Sequence, residues 1–271
     1  MRKLIALAVV CATGLVFAAV AYAVNVYEVT PASTKGGGGA KGTAKKPVAK
    51  AVVFGFKTKD SGGGRATPIK KYSIGFQGLK YFGKNKVFPR CSIAKLSQTL
   101  ESDVEKDCKK AFVGKGKVNN LVGLTGNPAT ITTCLLRLRL YNTGKGFGLR
   151  LDGGNTAKPP TACPTAINQA INAKFKTVKI GGKKSAALQF TVDDTLLHPG
   201  AKTLSNAIET TTSTISGKKR KVKISGETRK VSILSSVSCG KRRTIQVSFT
   251  DEAGSTVPAK TTVKCLSLIH I

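Results

Sequence analysis

The chain has 271 residues, with 45 Lys and Arg against 13 Asp and Glu, a net charge of +32, two His and no Trp. So few acids and histidines leave little material for carboxylate-pair, triad or zinc chemistry. The charge favours anionic partners, and the length suits one large β domain or two small ones.

The first 23 residues read as a secretory signal peptide. Arg2 and Lys3 form a charged start, residues 4–19 an apolar run, and Ala21-Tyr22-Ala23 a small-x-small cleavage site. A secreted chain is expected to oxidise its cysteines. Cys91, Cys108, Cys134, Cys163, Cys239 and Cys265 therefore read as disulfide partners, with proximity favouring Cys91–Cys108, Cys134–Cys163 and Cys239–Cys265. Residues 24–50 read as an N-terminal strand followed by a flexible Gly/Lys-rich loop, because their composition buries too little apolar surface to order itself. Residues 51–265 read as a β-sandwich domain. Residues 266–271 resemble translated sequencing-adapter sequence and are expected to be a non-native tail.

Within that domain, strands are predicted over 51–56 and 71–79. Ser92 to Asp107 reads as a helix: Ser92 is a good N-cap, and Ile93, Leu96, Leu100 and Val104 share one stripe. Its acids, Glu101, Asp103, Glu105 and Asp107, are expected on a solvated face. Short strands follow at 113–118 and 121–124, then a turn at 126–128. Cys134 to Gly154 reads as a β-hairpin around Asn142–Lys145, because Leu136, Leu138 and Leu140 alternate with Arg137, Arg139 and Tyr141. In the predicted register Leu140 faces Phe147 and Arg137 faces Arg150. Like charges across a ladder destabilise, so an acid from a neighbouring strand, solvent or a bound anion must compensate.

Beyond the hairpin, 165–173 reads as a second, weaker helix. Residues 175–180 and 187–192 read as paired strands across 181–184, 193–200 as a loop, 204–215 as a Thr-rich strand and 217–221 as a basic turn. The segments 231–237, 244–250 and 257–264 read as a three-strand meander. Many short strands, frequent Gly turns and one or two short helices give an all-β fold, a β-sandwich with Greek-key or jelly-roll wiring.

No catalytic constellation stands out. His198 lies in a loop with Asp193 and Asp194 nearby but no nucleophile elbow. One such His and paired cysteines do not make a zinc site, and no cofactor motif is present. The anion-binding candidates are Arg137, Arg139 and Arg150 on the hairpin, with Lys218, Lys219, Arg220 and Lys221 at the basic turn. A scattered, solvated lysine surface explains the same charge.

The segments F-P-R-C-S-I-A-K-L (88–96), D-C-K-K-A-F-V-G-K-G (107–116), L-L-H-P-G (196–200) and S-V-S-C-G-K-R-R-T-I-Q-V-S-F-T-D-E (236–252) resemble uncharacterised secreted proteins of high-GC Gram-positive bacteria. The resemblance implies secretion and a disulfide-bearing β fold, and it transfers no site. The expected function is a secreted, non-enzymatic protein acting in binding or structure at the cell envelope, with polyanions such as wall polymers, polysaccharide or extracellular nucleic acid as non-specific partners. The alternative is an extracellular hydrolase or carbohydrate-active enzyme on a jelly-roll.

Overall fold

The computed structural model describes residues 25–265 apart from 36–40, 63–64, 98–99, 158 and 165. The predicted leader and tail lie outside the described residues. In chain order the elements are β1 (Asn25–Lys35), β2 (Val48–Ala49), β3 (Ala51–Asp60), β4 (Ile69–Phe76), β5 (Leu79–Tyr81), α1 (Ile93–Leu96), α2 (Glu101–Cys108), β6 (Phe112–Leu124), β7 (Thr132–Asn142), β8 (Gly146–Gly153), β9 (Ile167–Ile180), β10 (Lys183–Thr191), α3 (Asp194–Leu197), β11 (Leu204–Ile215), β12 (Arg220–Ile224), β13 (Glu227–Val231), β14 (Leu234–Ser236), β15 (Arg242–Asp251) and β16 (Thr256–Lys264).

The all-β class expected from the sequence is the class of the fold. Eleven strands form one antiparallel sheet in the order β1-β3-β11-β6-β7-β8-β9-β10-β4-β15-β16. The sheet curls until its two edge strands approach, nearly closing a barrel. Tyr27 of β1 stacks on Phe249 of β15 at 4.4 Å and seals the seam. Alternation puts Leu136, Leu138 and Leu140 of β7 and Leu149 and Leu151 of β8 inside, against Phe54, Phe56, Ile74 and Phe76. Each such side chain, fully buried, contributes about 1.5–3 kcal/mol.

The two ends are closed differently. The small sheet β2-β14-β5 covers the end where β3 and β15 begin. Backbone bonds tie it there: Lys50 N–H donates to the Leu234 carbonyl at 3.4 Å and Phe82 N–H to the Ile233 carbonyl at 2.9 Å. At the other end α3 follows β10, with Leu196 and Leu197 buried. Bridges join Cys91 to Cys108, Cys134 to Cys163 and Cys239 to Cys265.

Several local expectations change. The hairpin turn is tighter than predicted: Thr143 N–H donates to the Gly146 carbonyl at 3.0 Å, and Gly144 supplies a φ of +89°. Leu140 therefore faces Leu149 and Leu138 faces Leu151, while Arg137 faces Asp152 and Arg139 faces Arg150. The shift is two residues, so each side chain keeps its face. The predicted helix at 165–173 is the start of β9, because Ile167, Ile171, Ala173 and Phe175 alternate inward in strand register. A spacing of four suits both periods, and pairing with β8 decides for the strand. The predicted loop 193–200 contains α3.

The turn between β9 and β10 is only Gly181-Gly182, both at positive φ, and Lys183 and Lys184 belong to β10. The strand at 231–237 does not join the meander; Leu234–Ser236 pairs in the small sheet, leaving β15 and β16 as a hairpin beside β4. The Gly/Lys-rich segment is partly structured: β1 runs to Lys35 and β2 pairs with β14. Gly42, at a φ of +73°, lies so close to the Ser236 carbonyl that a Cβ would sit 2.1 Å from its oxygen.

Candidate anion-binding surface

The outer wall over β6, β7 and β8 is where the charges gather. Along β6, Val118, Asn120 and Val122 are buried and Lys115 and Lys117 exposed. Lys115 stands between Thr214 of β11 and Arg139 of β7; Lys117 stands between Thr212 and Arg137.

Two short helices cover part of this wall. Ser92 caps α1, its Oγ accepting from Lys95 N–H at 3.3 Å. Gly148 leaves the space α1 occupies, since a Cβ there would lie 2.1 Å from Leu96 Cδ1. Leu96, Val104, Ala111 and Tyr141 form a small outer core around Cys91 and Cys108. The single predicted helix is thus two pieces. Leu96 and Val104 are buried as their stripe requires, but Leu100 lies between the pieces and is 59% exposed.

The acids of α2 do not all face solvent. Glu101 is turned onto the wall, where its Oε1 accepts from Arg137 at 3.1 Å and from Arg139 at 2.7 Å. Glu105 also pairs with Arg139. Burial works against the Arg139 charge, but hydrogen bonds to Glu105 and Tyr141 and the Glu101 charge hold that guanidinium above its ordinary value. Arg150 is wholly buried. It bonds to Asp152 at 2.7 Å and donates to the Leu96 carbonyl at 2.8 Å. Burial pushes the Asp152 carboxyl up, against the pull of Arg150. The compensation required by the arginine face therefore comes from acids, on the covering helix and within β8.

Beside this covered patch runs an open groove of about 1090 Å³, lined by Lys115, Lys117, Arg137, Arg139, Thr212 and Thr214 and walled by Phe112 and Pro159-Pro160. Arg137 donates to the Pro159 carbonyl at 3.0 Å. Of the predicted anion-binding residues, Arg137 and Arg139 reach this groove, and Arg150 is sealed beneath α1. Lys218 and Lys219 are exposed in the link to β12, while Arg220 and Lys221 begin that strand. The link springs from the groove's rim: Lys218 N–H donates to Ser216 Oγ at 3.1 Å, and Ser216 lines the groove.

The sequence reading missed Lys115 and Lys117. Their signal was the alternation in Val113-Gly-Lys-Gly-Lys-Val118, which puts both on one face. That this face adjoins the arginines needed the β6–β7 pairing. His198 sits elsewhere, at the α3 end. Its Nδ1 meets the Leu204 carbonyl and its Nε2 meets Glu252 Oε1, both at 2.7 Å. Asp194 pairs with Lys70 at 3.4 Å.

Fold and surface together define a disulfide-tied all-β barrel-like protein with a basic outer groove. No family model and no curated protein matches the chain.

Proposed function

We propose that this is a secreted, non-enzymatic binding protein of the cell envelope that holds anionic polymer along the β6–β7 groove. The leader read from residues 1–23 and the three disulfides support an extracellular setting. The observation that carries the binding role is the cross-strand row at Lys115 and Lys117. Neither has an acid across from it in either neighbouring strand; each faces a threonine on one side and an arginine on the other. Lysine ammonium groups, threonine hydroxyls and the accessible edges of Arg137 and Arg139 suit sulfate, phosphate or carboxylate groups spaced along a chain.

Charge reversal locates the site. Lys115→Glu with Lys117→Glu is expected to weaken heparin binding at physiological salt by about tenfold more than Lys260→Glu with Lys264→Glu, which removes the same charge from β16. Equal losses for the two pairs would disprove a groove site and leave only diffuse charge.

A further inference from the structure

The interior of the barrel is not uniformly apolar. Asn120 of β6 and Asn206 and Thr211 of β11 point inward and are at least nine-tenths buried. They lie on adjoining strands, where Asn206 pairs with Val122, Ile208 with Asn120 and Thr211 with Val118. Asn206 donates through Nδ2 to the Leu196 carbonyl at 2.7 Å. Asn120 Oδ1, Asn206 Oδ1 and Thr211 Oγ1 have no hydrogen-bond partner among the described residues. All three residues line one internal cavity of about 80 Å³ whose other walls are mainly Leu, Ile, Val and aromatic side chains.

A buried polar atom without a partner is destabilising, and valine or leucine on these strands would remove the penalty. Three such oxygens on one wall of an otherwise greasy chamber therefore point to an occupant that supplies donors there. The chamber exceeds the ~10–15 Å³ that a single water requires, yet apolar walls disfavour filling it with water alone. It is smaller than the roughly 150 Å³ cavity that takes a benzene ring, so only an occupant of fewer atoms than benzene fits. Among the described residues no carboxylate, lysine, arginine or histidine lines it, so a charged head would be buried without a counterion.

We propose that the barrel interior binds one short aliphatic molecule, smaller than a benzene ring, with a neutral, hydrogen-bond-donating head, such as 1-propanol. The head meets the Asn120–Asn206–Thr211 strip and the chain lies against Tyr72, Leu149 and Leu188. The small sheet covers the opposite end, so the occupant enters past α3. Leu196 and Leu197 of that helix line the chamber, and the His198–Glu252 pair and the Asn206–Leu196 bond hold it in place.

NMR titration of the disulfide-intact protein with three small probes tests this: 1-propanol, propanenitrile and propanoate. 1-Propanol should shift the side-chain amide signals of Asn120 and Asn206 saturably. The nitrile, which accepts but does not donate, and the charged propanoate should each bind at least about tenfold more weakly. Asn120→Leu with Thr211→Val spares the Asn206 bond to α3 and leaves Asn206 Oδ1 as the acceptor on the strip, so it should narrow the gap between 1-propanol and the nitrile. Equal affinities for all three probes in the wild-type protein, or no saturable shift from any, overturn the proposal. So does a crystal soaked in 1-propanol in which ordered waters alone occupy the strip. The wild-type discrimination decides the matter even if the double variant does not fold.

Discussion

Arg243 is the residue most at odds with its surroundings. It lies on β15 in phase with Ile245, Val247 and Phe249 and is 1% exposed. Its Nη2 donates to Ser236 Oγ at 2.7 Å, while Nε and Nη1 have no partner among the described residues. Burial pushes this guanidinium down to about 10. Burial also lowers the nearby Lys50 ammonium, with the Arg243 charge adding to the effect. A base whose folded pKa lies below its unfolded one favours unfolding while it is charged in both states. That penalty is full below pH 10 and fades as pH rises from there towards the ordinary arginine value. Arg243→Met should therefore stabilise the protein at pH 7, by about 1–3 kcal/mol, with the gain shrinking above pH 10. Denaturant melts at pH 7 and 10.5 would check both parts; a destabilised variant at pH 7 would show that the guanidinium has found compensation. Arg150 is the contrast. Removing it strands a buried Asp152, so Arg137→Ala with Arg150→Ala destabilises rather than relieving repulsion.

At the scale of elements, α1 and α2 act as a strap over the arginine-bearing wall. Neither helix is long enough to persist alone. Their order comes from Leu96 in the space left by Gly148, from Glu101 held between two arginines, and from the Cys91–Cys108 bridge. The bridged cysteines are 17 positions apart, a loop for which chain entropy gives about 3 kcal/mol. Cys91→Ser with Cys108→Ser should lose about that much and raise amide exchange across α1 and α2 first, leaving β6 to β9 protected. Exchange rising uniformly through the barrel would show instead that the strap is integral to the fold.

At the scale of the molecule, the charge is spread over nearly every outer strand face: Lys57 and Lys59 on β3, Lys174 and Lys176 on β9, Lys260 on β16. Such a surface gives every polyanion a background affinity by counterion release. Heparin and duplex DNA should both weaken linearly on a log–log plot against salt, with similar slopes, because no exposed aromatic row is present on β6 and β7 to stack bases. A DNA affinity that holds constant from low to physiological salt would contradict this. The groove acts on top of that background, as a local excess of cations.

How much of this was legible depends on range. Alternation identified the inward Leu136, Leu138 and Leu140 and the outward Arg137 and Arg139, because side-chain direction in a strand is a local property. Ser92 announced the start of α1 for the same reason. The cysteines favoured their bridges by proximity, and each pair is joined in the structure. Partners across strands were not legible. The hairpin register changed with one tighter turn, and residues 167–173 satisfied helix and strand spacing equally until β8 lay beside them. Residues 231–237 found their place only when β2 and β5 were brought in from elsewhere in the chain. The groove and the interior polar strip belong to this second kind, since each sets side chains of β6 beside those of β11, far along the chain. An all-β, strongly basic, disulfide-paired chain could be read residue by residue, because composition and period-two alternation are local. Which cations face no acid and which buried polar groups lack partners emerged with the fold, because both depend on strand pairings such as β6 with β11.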